Sequence, residues 1–213
     1  MKAIIISGLL SNLGDNILPF LDKDTDIFVH TWDIADNSRW VTKLNRYKKY
    51  CNELKVVFDK PKFEKKLYSY FYSTWKAVNM IENIDKYDRI IKFKPNLDSD
   101  NIKFVGDLAY YFNKAYIQSR PLLKGITKED CIFGPIYYKT MDERLFSGFP
   151  LAFKKAFHIL EEELCTEMIA LDKSLSKKYG ETYEGSIFWK KWFKKQGVTL
   201  IHDIDLILPN SKN

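Results

Sequence analysis

Cysteine is scarce in this chain. Cys51, Cys131 and Cys165 are the only three, far apart and in no Cys-x-x-Cys arrangement. So odd and scattered a set argues against a disulfide framework or a zinc finger and suits a reducing compartment. Long apolar runs are also lacking. No stretch approaches the roughly 20 residues needed to cross a bilayer. The apolar run at residues 3–6 is too short for the core of a secretion signal, and no small-residue cleavage site follows it. The expected location is the cytoplasm. No Gly-x-x-x-x-Gly-Lys-[Ser/Thr] loop, Gly-x-Gly-x-x-Gly fingerprint or Gly-x-Ser-x-Gly elbow occurs, so P-loop, dinucleotide and α/β-hydrolase readings lose their support. Internal repeats and low-complexity segments are absent as well.

What is present suits one domain. The chain has 213 residues, of which 46% are hydrophobic, enough for one full core. Thirty-four Lys and Arg against 28 Asp and Glu give a net charge of +6. Such a balance favours an anionic partner: nucleic acid, an acidic membrane surface or a phosphorylated small molecule. The lysines are interleaved with acidic residues, which counts against a nucleic-acid face. Aromatics are plentiful, at 13 Tyr, 15 Phe and 5 Trp, and such rings fill cores or stack on bases and sugars.

Periodicity gives the organisation. Short β-branched and apolar runs at residues 3–6, 26–30, 54–58 and 89–93 read as buried parallel strands. Helical spacing occupies residues 9–21 and 62–84, the latter through Leu67, Tyr70, Phe71, Trp75, Val78 and Ile81. This alternation predicts an α/β fold with a mainly parallel central sheet flanked by helices. In the second half, strands are expected at 115–118, 130–133, 198–201 and 206–208. One long helix is expected at 150–171 and another at 184–196, with Lys194 and Lys195 in its last turn and Gly197 just past it. Its basic amphipathic run, Trp189 to Lys195, reads as an ordinary helix with aromatics inward and lysines in water. The polar tail at 209–213 reads as a linker leading on to a longer protein.

Ligands of an open parallel sheet bind beyond the carboxyl ends of its strands. Ser7 and Gly8 follow the first strand, Thr31, Trp32 and Asp33 the second, and Lys94, Asn96, Asp98 and Asp100 the fourth. Together they offer a glycine for close backbone approach, an aromatic platform, cations for phosphate and carboxylates for a divalent metal. Asp98 and Asp100 alternatively cap a turn. Lys92 and Lys94 share one strand face opposite Phe93; Lys92 is expected to be solvated, and Lys94 to reach a ligand. Ser73 and Lys76, three apart, share a helix face. His158 reads as a helix residue without a ligand role, and His202-Asp203 as an exposed pair or a further metal ligand.

Four segments recur in a known order: Lys2-Ala3-Ile4-Ile5-Ile6-Ser7-Gly8, Asp26-Ile27-Phe28-Val29-His30-Thr31-Trp32-Asp33, Tyr72-Ser73-Thr74-Trp75-Lys76-Ala77 and Tyr87-Asp88-Arg89-Ile90-Ile91-Lys92-Phe93-Lys94-Pro95-Asn96-Leu97. In these the chain resembles GT-A-fold glycosyltransferases of large DNA viruses, phages and bacterial surface-polysaccharide loci. It is most similar to the amino-terminal domains of chlorella-virus capsid-glycosylating proteins. The resemblance covers the first half, and the second half only at Asp130-Cys131-Ile132-Phe133-Gly134 and Tyr183-Glu184-Gly185-Ser186. Its most specific segment is His30-Thr31-Trp32-Asp33.

The resemblance implies a nucleotide-binding half at about 1–105 and an acceptor half at about 106–208. It also implies a UDP-sugar donor, UDP-glucose or UDP-rhamnose, with Mn²⁺ or Mg²⁺, and a glycan or glycoprotein acceptor. The location would be host cytoplasm if the gene is viral. Ser7 and Gly8 would approach the uridine, Asp33 the base or ribose, and Ser73 and Lys76 the nucleotide. Asn96-Leu97-Asp98 would occupy the Asp-x-Asp region. Relatives show Arg-x-Arg-Pro-Asp where this chain has Lys92, Lys94 and Asn96, which moves the expected metal ligand to Asp98. An inverting enzyme needs a carboxylate base, for which Glu184 comes first and Asp130 second. A basic nucleic-acid-binding domain and an inactive UDP-sugar-binding module are the rival readings.

Overall fold

The computed structural model describes residues 1–10, 13, 18, 21–33, 38–95, 127–134, 136–137, 140–141 and 145–201. Four early strands, β1 (Lys2–Ser7), β2 (Thr25–Trp32), β3 (Glu53–Asp59) and β4 (Arg89–Phe93), sit where the short apolar runs predict them. All eight residues of β2 are buried, as expected of a parallel strand covered on both faces. Five more strands follow: β5 (Cys131–Phe133), β6 (Ile136–Tyr137), β7 (Thr140–Met141), β8 (Leu145–Gly148) and β9 (Thr199–Ile201). β6 and β7 form a separate two-stranded ribbon.

The main sheet has seven strands in the order β3-β2-β1-β4-β8-β5-β9. Every neighbouring pair is parallel except those made by β8, which runs antiparallel to both β4 and β5. β5 therefore points the same way as β4, and six strands share one carboxyl end. β3 forms one edge and is only half-buried. Its Lys55 pairs with Glu53 at 3.5 Å and with Glu82 at 2.8 Å.

Helices cover both faces. On one lie α2 (Lys66–Asn79), α3 (Pro150–Phe157) and α5 (Gly185–Lys195), which enclose the larger core of Phe71, Phe146, Phe157, Trp189 and Trp192. On the other, Leu44 and Tyr47 of α1 (Ser38–Tyr47) pack against Ile4, Ile6, Ile27 and Val29. The expected helix at 62–84 narrows to α2, with a separate 3₁₀ turn at Ile84–Lys86. The helix at 9–21 falls largely outside the described residues, and the strands at 115–118 and 206–208 wholly so.

The long helix expected at 150–171 is two. α3 stops at His158, and α4 (Glu161–Tyr179) begins after the extended Leu160. Three glutamates in the first turn of α4 complement its amino-terminal dipole. The carbonyls freed at the break are taken from across the core: Trp75 Nε1 donates to Ile159 O at 3.0 Å, and Asn79 Nδ2 to Phe157 O at 2.9 Å. His158 thus ends a helix instead of lying within one. The end of α5 follows expectation, with Gly197 at φ 70°.

At the amino end of the sheet the Asp26 carboxylate is fully buried. It accepts from Tyr87 Oη at 2.7 Å and Asn52 Nδ2 at 2.7 Å, and Lys86 Nζ lies 2.9 Å away. Burial alone would raise its pKa, but these donors outweigh it and hold the carboxyl below the ordinary value. Asp26→Ala leaves the buried Tyr87 hydroxyl without its acceptor, at a cost of about 1–3 kcal/mol. Urea unfolding of Asp26→Ala, Tyr87→Phe and the double variant should show this loss, with the two single effects failing to add.

Candidate functional site

The order of the strands locates the crevice. From β1 the chain moves outward to β2 and β3, then returns to pair β4 on the other side of β1. The reversal between β1 and β4 is where an open α/β sheet receives ligands, outside the strand carboxyl ends. Gly8 follows β1 there, and Lys94 follows β4. Gly8 has φ 103°, while a Cβ built on it would stand 3.5 Å from the Tyr70 ring, an ordinary contact. The backbone conformation, not lack of space, therefore calls for glycine.

A row of buried polar groups fastens this end of the sheet to α2. The Ser7 and Thr74 hydroxyls are 2.9 Å apart. Gly8 N–H donates to Ser73 Oγ at 2.8 Å, and that oxygen lies 2.8 Å from His30 Nδ1 and 3.0 Å from His30 O. His30 Nε2 is 3.1 Å from Asp59 Oδ2. Proton counting orders the row. A carboxylate only accepts, so Nε2 carries the hydrogen; a neutral ring then leaves Nδ1 an acceptor, which shares the one Ser73 hydroxyl proton with His30 O, to which that hydroxyl also donates. Burial of the ring lowers the His30 pKa, with nearby Lys76 adding to this and Asp59 opposing it, so the neutral ring is the favoured form.

Around the row sit further polar groups. The Asp59 carboxylate, at the end of β3, is 35% exposed, and Lys76 Nζ stands 3.9 Å from it. Asp33 is exposed, and its N–H donates to Asp59 O at 2.7 Å. Tyr72 Oη donates to Glu161 at 3.0 Å, and Lys62 pairs with the same carboxylate. Below Gly8, the Tyr70 ring has the Lys92 ammonium 4.0 Å and the Lys94 ammonium 4.7 Å from its centre. Toward α5, Asp172 collects Lys65 at 2.6 Å, Tyr68 Oη at 2.6 Å and Tyr183 Oη at 2.5 Å, joining α2, α4 and the approach to Glu184.

The residues expected from sequence separate into groups. Gly8, Asp33, Lys76 and Lys94 gather at the strand carboxyl ends. Ser7 and Ser73 are there too but fully buried, so their side chains shape the site from beneath. Trp32 is 4% exposed and stacks on Tyr72 at 5.9 Å, as a core ring and not an open platform. Lys92 is not solvated: it is fully buried among Tyr70, Phe146 and Trp189, with its ammonium 5.2 Å and 5.6 Å from the latter two ring centres. Such cation–π contacts partly replace lost hydration.

Glu184 precedes α5, which runs back toward the start of the parallel strand β9, so this carboxylate lies on the carboxyl side of the sheet. It is exposed and accepts from Ser186 Oγ at 3.3 Å. Asp130 does not join it. It precedes β5, whose Ile132 stands level with Ile90 through Gly148, and so lies at the opposite, amino end. There it is bound by Lys155 at 2.5 Å and Thr127 at 2.9 Å. Those two hydrogen bonds, that from Lys155 foremost, hold its pKa below the ordinary carboxylate value.

Asn96, Asp98, Asp100, His202 and Asp203 lie outside the described residues. Among those described, no group of three or more His, Cys, Asp or Glu is placed to hold a metal ion. His30 is also unsuited as a ligand, since both of its nitrogens are engaged. No described helix is long and apolar enough to cross a membrane. His30 and Asp59 were not legible as site residues. The available signal was strand parity, which puts His30 on the same face as Phe28 and Trp32, toward α2.

No protein-family model and no curated protein matches the sequence. Solved structures do match. The glycosyltransferase GlyE of Streptococcus pneumoniae TIGR4 aligns over 96% of this chain and 46% of its own, at 8% identity and TM-score 0.51. Its apo form aligns over 93% and 44%, at 9% identity and TM-score 0.50. The chain has a GT-A-like fold. It spans just under half the length of these structures. Mouse xyloside xylosyltransferase 1, in apo form, aligns over 93% of this chain and 82% of its own at 11% identity, but its TM-score of 0.35 carries no argument. The viral resemblance rests on the sequence segments alone.

The neutral buried His30 makes a prediction about pH. Its pKa is lowered from 6.5 on folding, so the stability gained from keeping the ring neutral is present above pH 6.5 and is lost as pH falls below it. His158, also lowered by burial first and then by Lys154, works in the same direction. Urea midpoints at pH 7.5 and 5.5 should fall with acid in the wild type, and fall less in His30→Gln.

Proposed function

We propose that this chain is a glycosyltransferase that moves a hexose or deoxyhexose from a UDP-sugar, UDP-glucose or UDP-rhamnose, to a glycan or glycoprotein acceptor. The observation that carries the proposal is that Gly8 and Lys94 flank the β1/β4 reversal of a GT-A-like sheet, with Asp33 and Lys76 beside Asp59 at the adjoining carboxyl ends of β2 and β3. A capsid glycoprotein is the acceptor that the sequence resemblance favours.

Transfer breaks the bond from sugar C1 to the diphosphate oxygen and forms one from C1 to the acceptor oxygen. The diphosphate leaves with the electron pair of the broken bond. Lys94, half-buried against Tyr70 at the end of β4, is the described cation best placed to meet that charge. In an inverting course the acceptor hydroxyl proton goes to a carboxylate, and Glu184 is our assignment for it. Its place at the start of α5 separates it from the buried row beneath the donor side. Mn²⁺ or Mg²⁺, with Asp98 and Asp100 as ligands, belongs to the same proposal. When bound, such a cation neutralises diphosphate charge. The described residues supply no ligand set for it, so no step here depends on it.

Titration calorimetry of UDP and UDP-glucose, with Mn²⁺ and with EDTA, tests the donor half on wild type and Asp98→Ala. Binding should require both the metal and Asp98. Absence of UDP binding under every condition would overturn the reading and favour a salt-dependent nucleic-acid assay. UDP binding without transfer to any acceptor would identify an inactive binding module. Given turnover, Glu184→Gln should lower kcat by about 10²–10⁴-fold with donor KM little changed.

A further inference from the structure

We infer that the Asp59 carboxylate receives the hydroxyl or ring N–H donors of the nucleoside, and that His30 and Ser73 are positioning residues that hold it there. The inference deepens the donor-site proposal and rests on it. Asp59 ends β3 and pairs in register with Trp32, so it stands at the carboxyl end beside the strand that carries His30. Its Oδ2 is held by His30 Nε2 at 3.1 Å, with Lys76 at 3.9 Å. Its Oδ1 accepts no hydrogen bond from the described residues, and the side chain is 35% exposed. A carboxylate with one oxygen tied down and the other open is an acceptor of fixed direction.

The alternative is a polar group left over at a strand end, and the row behind Asp59 argues against it. His30 is fully buried, and each of its nitrogens has one partner. Ser73 is itself located by the Gly8 N–H, so the carboxyl ends of β1 and β3 are joined through one imidazole and one hydroxyl. Such a row fixes the carboxylate more narrowly than a solvated Asp needs.

Charge then sets which end of the donor lies where. A carboxylate repels phosphate and accepts from hydroxyls and N–H groups, so the nucleoside lies over β2 and β3. Lys94 is at the end of β4, three strand positions from β3 in the order β3-β2-β1-β4. At about 4.8 Å per strand that is about 14 Å, a span comparable to an extended nucleoside diphosphate. The diphosphate would therefore lie over β1 and β4, above Gly8.

The test uses the full chain with uridine, UDP and inorganic pyrophosphate as calorimetric probes in Mn²⁺, on Asp59→Asn, His30→Leu, His30→Gln and the Asp59→Asn/His30→Leu double variant. Thermal midpoints would accompany each to confirm folding. Asp59→Asn and His30→Leu should each weaken uridine and UDP about tenfold while leaving pyrophosphate unchanged. The double variant should be no worse than either single one. His30→Gln, whose amide can still donate to Asp59, should stay within about threefold of wild type. Asp59 is half-exposed, so Asp59→Asn keeps the test decisive even if His30→Leu fails to fold. Wild-type binding of UDP with Asp59→Asn binding equally well would overturn this inference and leave the donor site intact. Equal losses in His30→Gln and His30→Leu would overturn the positioning role. Failure of the wild type to bind uridine or UDP would overturn the donor-site proposal, and this inference with it.

Discussion

The hydroxyl of Ser73 is one atom pair on which the carboxyl end of the sheet depends. It accepts from Gly8 N–H and has two acceptors within reach on His30, the ring nitrogen and the backbone carbonyl. Apolar packing would hold α2 against the sheet but would let it slide, because dispersion is nearly directionless. Buried hydrogen bonds are directional, and leaving them unmade is costly. They set the height of α2 relative to β1 and β2. That setting propagates, since α2 carries Trp75 and Asn79, which take the carbonyls at the α3–α4 break, and Tyr68, which binds Asp172 with Lys65 just before the helix. The later helices are thus placed by the helix that the carboxyl ends of β1 and β2 fix.

Lys92 shows a second way of placing charge. Burying an ammonium is costly unless other groups replace its hydration, and Lys92 is fully buried beneath the crevice. Three ring faces surround it, contributed by α2, β8 and α5. These elements are remote in sequence, so the enclosure exists only once the sheet has closed over β4. Tyr70 then carries Lys94 on the side toward the strand end. A single ring therefore links a core cation to one at the mouth.

Much of the fold was legible in sequence because parallel strands buried on both faces are written as short apolar runs. α2 was legible because its apolar residues keep helical spacing. α1 was not, since only Leu44 and Tyr47 of its described side chains, residues 40–47, are buried core. β8 is four residues ending in glycine, too short to carry a period. The α3–α4 break was hidden because its stabilising donors come from Trp75 and Asn79, far away along the chain. In the site, strand ends were readable but burial was not. Ser7 and Ser73 looked like ligand groups by type and position, and only the packing of α2 shows them facing inward. His30 and Asp59, 29 residues apart, become partners only when β2 and β3 pair.

The edge of the sheet has a consequence for behaviour in solution. β3 has an unpaired flank of backbone donors and acceptors among the described residues, and its Phe58 is 36% exposed. Such a strand is a template on which another chain can add, the first step toward aggregates. Lys55, in the middle of β3 with Glu53 and Glu82, puts charge where an incoming strand would need to lie flat. The same strand ends in Asp59, so a sticky edge and the part-exposed carboxylate held by His30 share seven residues. Replacing the polar residues of β3 with better strand formers would strengthen the strand while removing its protection against self-association.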